Sequence, residues 1–317
     1  MAINTITTMQ NNNKINENIV LSIFTTAFNQ KNEGFSNALE EIKHCISDKR
    51  DYHDMIDLMR NLSKTVQIKM YDLFHNNVIP KDSKYKYIVV SDIDNTAIEN
   101  ISIAKCKYIN NELIPGYQLL LHLLTQDATS VTFISARPKQ LEKATIASMA
   151  QKIDSNIKWS LLPGNTKLVS ELFIAKLLTN KSSFVYEKMG EEKMKSFQEL
   201  ALIYPHCTFI FFGDDTQGDY IFARKMTSKY KNSIAFIRKC KHPNNEDFND
   251  ISSNIFLHSS YFEVIYKLIS EFKIIPTSQI QFIIDYVSAT YNCFAYDNDQ
   301  VQMDVYYLHL INTLISP

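Results

Sequence analysis

The sequence predicts an α/β fold, in which a parallel sheet carries helices on both faces and helical segments extend both ends of the chain. Three observations lead to this prediction. Short apolar runs alternate with helical patterns through the middle of the chain. The runs are apolar at consecutive positions, as is typical of strands that are buried on both faces. Polar residues follow several of the runs at the point where a strand would end.

The strands come from five apolar runs in the middle of the chain and a sixth near residue 255. The five are Tyr87–Ser91, Val131–Ser135, a weaker run at Ile157–Leu161, Thr208–Phe212 and Ser233–Arg238. The segment "NIFLHSSYFEVIYKLISEF" adds the sixth strand and a helix. Helical patterns between the strands cover Tyr117–Leu124, Lys139–Gln151, Leu168–Leu178 and Glu192–Ile203.

The two ends of the chain have a different character. Residues 1 to about 14 are polar and predicted to be disordered. A helical pattern runs from Glu17 to about Asn76 and is broken near Pro80, and residues 274–317 are predicted to form a helical pair packed on the core. We therefore expect a helical region at 1–80, a central α/β domain at 81–273 and a C-terminal helical region at 274–317.

Composition excludes several classes of function. The net charge of −1 gives no overall electrostatic attraction to nucleic acid. The five cysteines are scattered without a CxxC pair, which favours reduced thiols over a disulfide framework or a zinc site. No apolar N-terminal signal or membrane-spanning run is present. We expect a cytoplasmic protein, or one delivered into a host cell without such a signal, and peripheral membrane association stays open.

Residues suited to phosphate chemistry follow three of the strand candidates. Asp92, Asp94 and Thr96 follow the first strand, and Ser135 ends the second. Asp214 and Asp219 lie at and after the end of the fourth, in "GDDTQGD". In an open parallel sheet, ligands bind beyond the carboxyl ends of the strands, so these residues should converge on one crevice.

Each of these residue types has a role in phosphoryl transfer. One carboxylate can attack phosphorus, and a second can protonate the leaving oxygen and then activate water. A hydroxyl and a lysine can bind the other phosphoryl oxygens, and Lys193 and Lys195 are both available near the start of a helix. Carboxylates from two strands can bind Mg²⁺, which also relieves the repulsion between Asp92 and Asp94.

In this order the motifs resemble the haloacid dehalogenase superfamily of aspartate-based phosphatases, whose sheet is Rossmann-like. The resemblance implies that Asp92 is the nucleophile and Asp94 the acid and base, and that Lys193 binds phosphate. It further implies substrate hydrogen bonds from Thr96 and Ser135. The implied Mg²⁺ ligands are Asp92, the backbone carbonyl of Asp94, and Asp214. Asp219 would support this set of metal ligands.

A closer resemblance covers roughly Lys86 to Phe272. The segments "SDIDNT", "ISARP", "KMKSFQELALIYP" and "FIFFGDDTQGDY" are similar to the catalytic module of App1-type phosphatidate phosphatases. The sequence departs from these phosphatases at two places. Asn95 replaces a usual third aspartate, and Asp215-Thr216 replaces a Ser-Gly pair. Both departures leave the phosphatase chemistry intact but weaken the case for a lipid substrate. In overall character the chain also looks like haloacid-dehalogenase-type tyrosine phosphatase effectors of intracellular bacterial pathogens.

Three assignments have a competing interpretation. Lys195 competes with Lys193, and a helix places the two on different faces. Asp215 could replace Asp219 as the second acid or cap a turn. Arg137 could contact phosphate or a substrate carboxylate, or be a solvated loop residue.

The substrate is expected to be a phosphorylated protein. The interval from Asp94 to Ser135 is about 40 residues, most of it needed for a crossover helix, so we expect little or no cap and an open site. Phosphotyrosine is favoured, phosphatidate or a phosphoinositide is the alternative, and a non-catalytic membrane- or partner-binding module is the alternative of another class. A basic run could meet an anionic membrane or an acidic substrate, or be a solvated face: Arg224, Lys225, Lys229, Lys231, Arg238, Lys239 and Lys241.

Overall fold

The computed structural model describes most of the central domain and parts of both ends. The described residues are 17–29, 41–42, 55–76, 85–99, 113–126, 129–164, 182–216, 218–240, 252–290 and 298–314. The predicted helix at Leu168–Leu178 and the predicted disorder of residues 1 to 14 lie outside these ranges. So do residues 100–112 and 165–181, where a cap would be inserted, and the absence of a cap therefore stays a prediction.

The described strands form one six-stranded parallel sheet, which confirms the predicted fold class. In chain order the strands are β1 (Tyr87–Ser91), β2 (Thr129–Pro138), β3 (Trp159–Gly164), β4 (Thr208–Asp214), β5 (Ser233–Arg238) and β6 (Ile255–His258). Their spatial order is β3-β2-β1-β4-β5-β6, and all neighbours are parallel. The order reverses direction between β1 and β4, and ligands of doubly wound sheets bind beside such a switch point.

Helices precede, connect and follow the strands. They are α1 (Glu17–Asn29), α2 (Met55–Asn61), α3 (Lys64–Asn76), α4 (Tyr117–Thr125), α5 (Glu142–Ala150), α6 (Ser182–Ile203), α7 (Asp219–Lys229), α8 (Tyr261–Ser270), α9 (Ile280–Thr290) and α10 (Asn298–Thr313). Short 3₁₀ turns at Lys139–Leu141 and Thr277–Gln279 precede α5 and α9. Among the described helices, none combines the length and the apolar character that crossing a bilayer requires.

Both faces of the sheet are covered, and β4 shows how. Phe211 and Phe212 point to opposite faces because side chains alternate along a strand. The Phe211 ring packs edge-on against Phe222 of α7, with centroids 4.6 Å apart. Phe212 belongs to the core cluster on the other face, which includes buried residues of α4, α8, α9 and α10. Ile283 and Ile311 lie in this cluster, so the C-terminal helices pack on the core as predicted.

Several predicted boundaries were wrong. Strand β2 continues to Pro138, which places Arg137 in a strand instead of a loop. Strand β3 begins at Trp159, two residues later than predicted. Helix α6 begins at Ser182, ten residues before the predicted start, and α7 was not predicted as a helix.

The chain divides into two compact units. The smaller comprises Met1–Lys86 and Lys195–Cys207, and the larger comprises Tyr87–Met194 and Thr208–Pro317. Within the smaller unit, Phe74 of α3 packs against Phe24 and Phe28 of α1, with ring centroids 6.2 and 5.5 Å apart. The larger unit contains the whole sheet and the C-terminal helices. The predicted boundaries near residues 80 and 273 stay predictions.

Candidate active site

The predicted acidic residues of β1 and β4 meet at the switch point of the sheet. The backbone N–H of Asp92 donates to the carbonyl of Phe212, 2.9 Å away, and this bond aligns the end of β1 with that of β4. The carboxylates of Asp92, Asp214 and Asp219 offer oxygen atoms within 4.8 Å of one another. All three side chains are buried. The sequence therefore identified a real cluster, drawn from two neighbouring strands and the first residue of α7.

Lys193 lies in the middle of these carboxylates. Its Nζ donates to Asp92 Oδ1 at 2.5 Å and also to Asp219 Oδ1. The Lys193 side chain is only 2% exposed. Lys195 is exposed, as expected for a residue on another face of the same helix. Of the two candidate lysines, Lys193 is therefore the one that contacts the predicted nucleophile.

Two glycines allow α6 to bring Lys193 this close. Gly218, at the start of α7, has φ +86°, and a Cβ there would lie 2.2 Å from the carbonyl oxygen of Tyr186. A Cβ on Gly190 would lie 2.8 Å from the carbonyl oxygen of Gly218. Real Cβ atoms do not approach backbone oxygens so closely, so the backbones of α6 and of the turn before α7 meet here only because both residues are glycine.

Burial and charge together set the ionisation of the cluster. Burial raises the pKa of Asp92, and the nearby Lys193 ammonium partly offsets this effect. The pKa of Asp214 is raised to about 7, first by burial and then by repulsion from Asp92. Burial and the Asp92 charge raise the pKa of Asp219 well above its usual range. The carboxylates of Asp219 and Asp92 outweigh burial at Lys193 and raise the pKa of its ammonium, which stays charged.

Oxygen atoms in the cluster still lack a protein partner. Within the described part of the chain, Asp92 Oδ2, Asp214 Oδ2, Thr96 Oγ1 and Thr216 Oγ1 are buried and receive or donate no hydrogen bond. Unpartnered buried polar atoms are costly, and their concentration here indicates that a ligand completes the site. Three carboxylates also face one ammonium, so the ionised cluster has the negative excess that one divalent cation would neutralise. Such oxygen donors fit Mg²⁺.

The second predicted aspartate of the motif faces another strand. Arg137 Nη2 donates to Asp94 Oδ1 at 2.6 Å, and Arg137 Nε donates to Asp94 Oδ2 at 3.0 Å. The carboxylate of Asp94 is not part of the acidic cluster, and a metal contact through its backbone carbonyl stays a prediction. Ser135 is buried, and its Oγ accepts the backbone N–H of Arg137 at 3.1 Å. The substrate contacts predicted for Thr96, Ser135 and Arg137 stay predictions too.

The loop after β1 is held by residues that the sequence analysis did not assign to the site. Arg238, at the end of β5, donates to the carbonyl of Asn95 at 2.8 Å and pairs with Glu99 at 3.0 Å. The hydroxyl of Tyr261 donates to the carbonyl of Thr96 at 2.7 Å. Arg238 was grouped with the basic run, although its position at a strand end beside β4 could have indicated this role.

Asn95 itself has φ +61°, in the left-handed region. Asparagine and aspartate are the residues that tolerate this region best after glycine. Asn95 therefore suits this turn as well as an aspartate would.

Asp215 contacts the segment that follows β5. Its Oδ1 accepts the backbone N–H of Cys240 at 2.9 Å, and this bond joins residues 25 positions apart, so it is not a turn cap. Asp214, Asp215 and Cys240 also form a second group of side chains with ligand atoms within 4.8 Å of one another. Asp219, and not Asp215, contacts Lys193.

Comparison with known proteins carries no argument about the function of this chain. No protein-family model matches the chain, and no curated protein matches it. Among solved structures, the chain is similar to a 3-deoxy-D-manno-octulosonate 8-phosphate phosphatase from Moraxella catarrhalis, crystallised with a magnesium ion, a phosphate ion and KDO. The identity is 14%, the match covers 64% of this chain and 94% of that chain, and the TM-score is 0.31. This likeness is too distant to transfer a substrate.

Proposed function

We propose that the protein is a Mg²⁺-dependent phosphatase of the haloacid dehalogenase type that forms an aspartyl-phosphate intermediate. One observation carries the proposal: three buried carboxylates surround one buried lysine at the switch point of the sheet, and oxygens of two of them have no hydrogen-bond partner among the described residues. The order of the motifs along the chain, DxDxT, a strand ending in serine, lysine and GDxxxxD, supports it.

The reaction would proceed in two steps. The free oxygen of Asp92, Oδ2, attacks phosphorus, and the bond between phosphorus and the leaving oxygen breaks. Asp94 in its acid form gives the leaving oxygen a proton. Asp94, now a carboxylate, takes a proton from a water molecule as that water attacks phosphorus, which releases inorganic phosphate and restores Asp92.

The remaining residues would bind and orient the phosphoryl group. Lys193 holds Asp92 Oδ1 at 2.5 Å, which leaves Oδ2 to face the substrate. Within the described residues, the hydroxyl of Thr96 has no partner, and Ser135 lies on the neighbouring strand β2, just beyond the last residue that pairs with β1. Asp92, Asp214 and Asp219 would hold Mg²⁺, which when bound neutralises charge on the non-reacting phosphoryl oxygens.

The test is phosphate release from para-nitrophenyl phosphate, with Mg²⁺ and with EDTA. We expect turnover by the wild type only with Mg²⁺, and a loss of at least about 10³-fold in Asp92→Asn, because an amide cannot form the acyl-phosphate. The matched control is Asp215→Asn, which changes a neighbouring carboxylate that accepts the backbone N–H of Cys240 and should keep most of the activity. Full activity in EDTA, or in Asp92→Asn, would refute the proposal.

Phosphotyrosine on a protein is the substrate that we propose. Asp92 is buried at the strand end, with 5% of its side chain exposed, so the phosphate must enter deeply to reach it. Tyrosine carries its phosphate farther from the backbone than serine does. Exposed Arg224 and Lys229 on α7, with Lys231 and Lys239 nearby in sequence, are available to attract acidic residues. Delivery into a host cell as an effector stays a prediction.

Selectivity is tested by comparing a phosphotyrosine peptide with its phosphoserine counterpart of the same sequence, together with phosphatidate vesicles and a hexose phosphate. We expect kcat/KM to be at least about tenfold higher for the phosphotyrosine peptide, a difference of about 1.4 kcal/mol in transition-state binding. A faster reaction with the hexose phosphate would reveal a cap, and a faster reaction with phosphatidate would favour the lipid alternative.

A further inference from the structure

We infer that Arg137 is a positioning residue for Asp94 and not a ligand of the substrate phosphate. The inference rests on the proposed function, in which Asp94 is the general acid and base. It replaces the sequence-based choice between a phosphate contact and a solvated loop residue.

The guanidinium of Arg137 already binds Asp94. Two of its nitrogens form the paired bonds to Asp94, at 2.6 and 3.0 Å, and this two-pronged geometry fixes the plane of a carboxylate. The third nitrogen, Nη1, lies 3.5 Å from the hydroxyl of Thr145 on α5. A phosphoryl group could take the edge formed by Nε and Nη2 only if the Asp94 pair broke, and Nη1 on the other edge faces Thr145.

The strand also aims Arg137 at Asp94. The register of β2 against β3 shifts between Ile134 and Pro138, and such irregularities redirect side chains beside active sites. The Arg137 N–H donates to Ser135 Oγ and holds the turn of the backbone at this point. The local distortion of β2 therefore has a defined result, which is contact with a residue that follows the neighbouring strand β1.

Fixing Asp94 matters because its carboxyl must reach two different atoms during turnover. It gives a proton to the leaving oxygen and later takes one from water, and both transfers need heavy-atom distances near 3 Å, about the length of a hydrogen bond. An aspartate that was free to rotate would often point elsewhere. Arg137 would thus act on the proton transfers and leave phosphate binding to Lys193, Thr96 and Ser135.

The experiment compares substrates that differ in their need for an acid. Para-nitrophenolate leaves readily without a proton, whereas the alkoxide of an alkyl phosphate does not. Arg137→Gln should lower kcat/KM, which reports the steps up to departure of the leaving group, by at least about 30-fold for the alkyl phosphate, within the range of general acid catalysis, and by less than about threefold for para-nitrophenyl phosphate. Arg137→Lys keeps the positive charge but cannot form the two-pronged contact, so its rates should fall between those of the wild type and Arg137→Gln. The control Lys139→Gln changes an exposed residue two positions on and should leave both rates unchanged.

Two further measurements separate positioning from phosphate binding. In an Asp94→Asn background, Arg137→Gln should cost little more, because the residue that it positions is already disabled. The inhibition constant of inorganic phosphate should change by less than about threefold in Arg137→Gln. Equal losses with both substrates, additive losses in the double variant, or a tenfold weaker inhibition by phosphate would overturn the inference. A wild type that hydrolyses neither substrate would instead overturn the proposed function, and the inference with it.

Discussion

Two ion-paired groups lie at the carboxyl edge of the same sheet, and they differ in their access to water. Lys193 is 2% exposed, and its partners Asp92 and Asp219 are 5% and 0% exposed. Arg137 and Asp94 are 33% and 15% exposed. In the proposed function, the buried group (Lys193, Asp92 and Asp219) contains the nucleophile and the groups that hold it in place, whereas the half-exposed pair (Arg137 and Asp94) contains the residue that must exchange protons with water and product.

The difference follows from the energetics of charge. Buried charges interact strongly and reorganise little, which suits groups that stabilise a transition state. The same burial makes any loss of a partner expensive, because it leaves an uncompensated charge. A half-exposed pair contributes less to stability, since solvent screens it. Substitutions in the buried group should therefore have large effects, and those around the half-exposed pair should have small effects on stability.

The largest effect is expected at Lys193. Lys193→Met should lower kcat/KM by about 10²- to 10³-fold, as the loss of one strong partner of a transition-state oxyanion does. The matched control is Lys195→Met, which removes an exposed lysine from the same helix and should cost less than about threefold. Steady-state rates with para-nitrophenyl phosphate decide the point. A larger loss in Lys195→Met would mean that the lysine of the site has been assigned two residues too early.

Gly218→Ala should have the next largest effect, on stability as well as activity. A Cβ there would collide with the carbonyl of Tyr186, and the φ of +86° is unfavourable for any residue with a side chain. We expect the free energy of unfolding to fall by about 2–4 kcal/mol, measured by urea denaturation. The comparison variant is Gly164→Ala, whose Cβ would lie 2.6 Å from the carbonyl oxygen of Ala136 but whose φ is not positive, so it should cost less than Gly218→Ala. An unchanged midpoint in Gly218→Ala would show that α6 does not need this close approach.

Thr145→Val should have the smallest effect and tests the half-exposed pair. The valine removes the hydroxyl that lies 3.5 Å from Arg137 Nη1 but keeps the shape of the side chain. At that distance the hydrogen bond is weak, so we expect less than about 1 kcal/mol in unfolding free energy and less than about threefold in kcat. A loss of activity as large as that of Lys193→Met would show that the half-exposed pair matters as much for the reaction as the buried group does.

The sequence predicted the parts of the site that depend on strand ends. Asp92 and Asp214 end or follow strands that are apolar at nearly every position, and parallel strands bring such ends together. Lys193 was preferred over Lys195 because its spacing to Pro205 fits the App1-type resemblance. It is the lysine that contacts the acidic cluster. The fold class followed from the same alternation of strands and helices.

The contacts that were not predicted depend on three-dimensional packing. Arg137 was placed in a loop because the run ending at Ser135 gave no sign that β2 continues through an irregularity. The start of α6 was missed because Gly190 lowers helix propensity, whereas the fit against Gly218 favours a helix there. Arg238 contacts Asn95 and Glu99 because of the order of the strands in the sheet. The local pattern of apolar and polar residues does not reveal that order.

The two glycine positions also restrict how this sequence can change over evolution. Gly190 and Lys193 lie three residues apart on α6, less than one helical turn, and they meet two consecutive residues, Gly218 and Asp219. A shift of the helix that relieved a larger side chain at position 190 or 218 would also withdraw the lysine from Asp219 and Asp92. Substitutions at these four positions are therefore not independent, and a change accepted at one would require a compensating change at another.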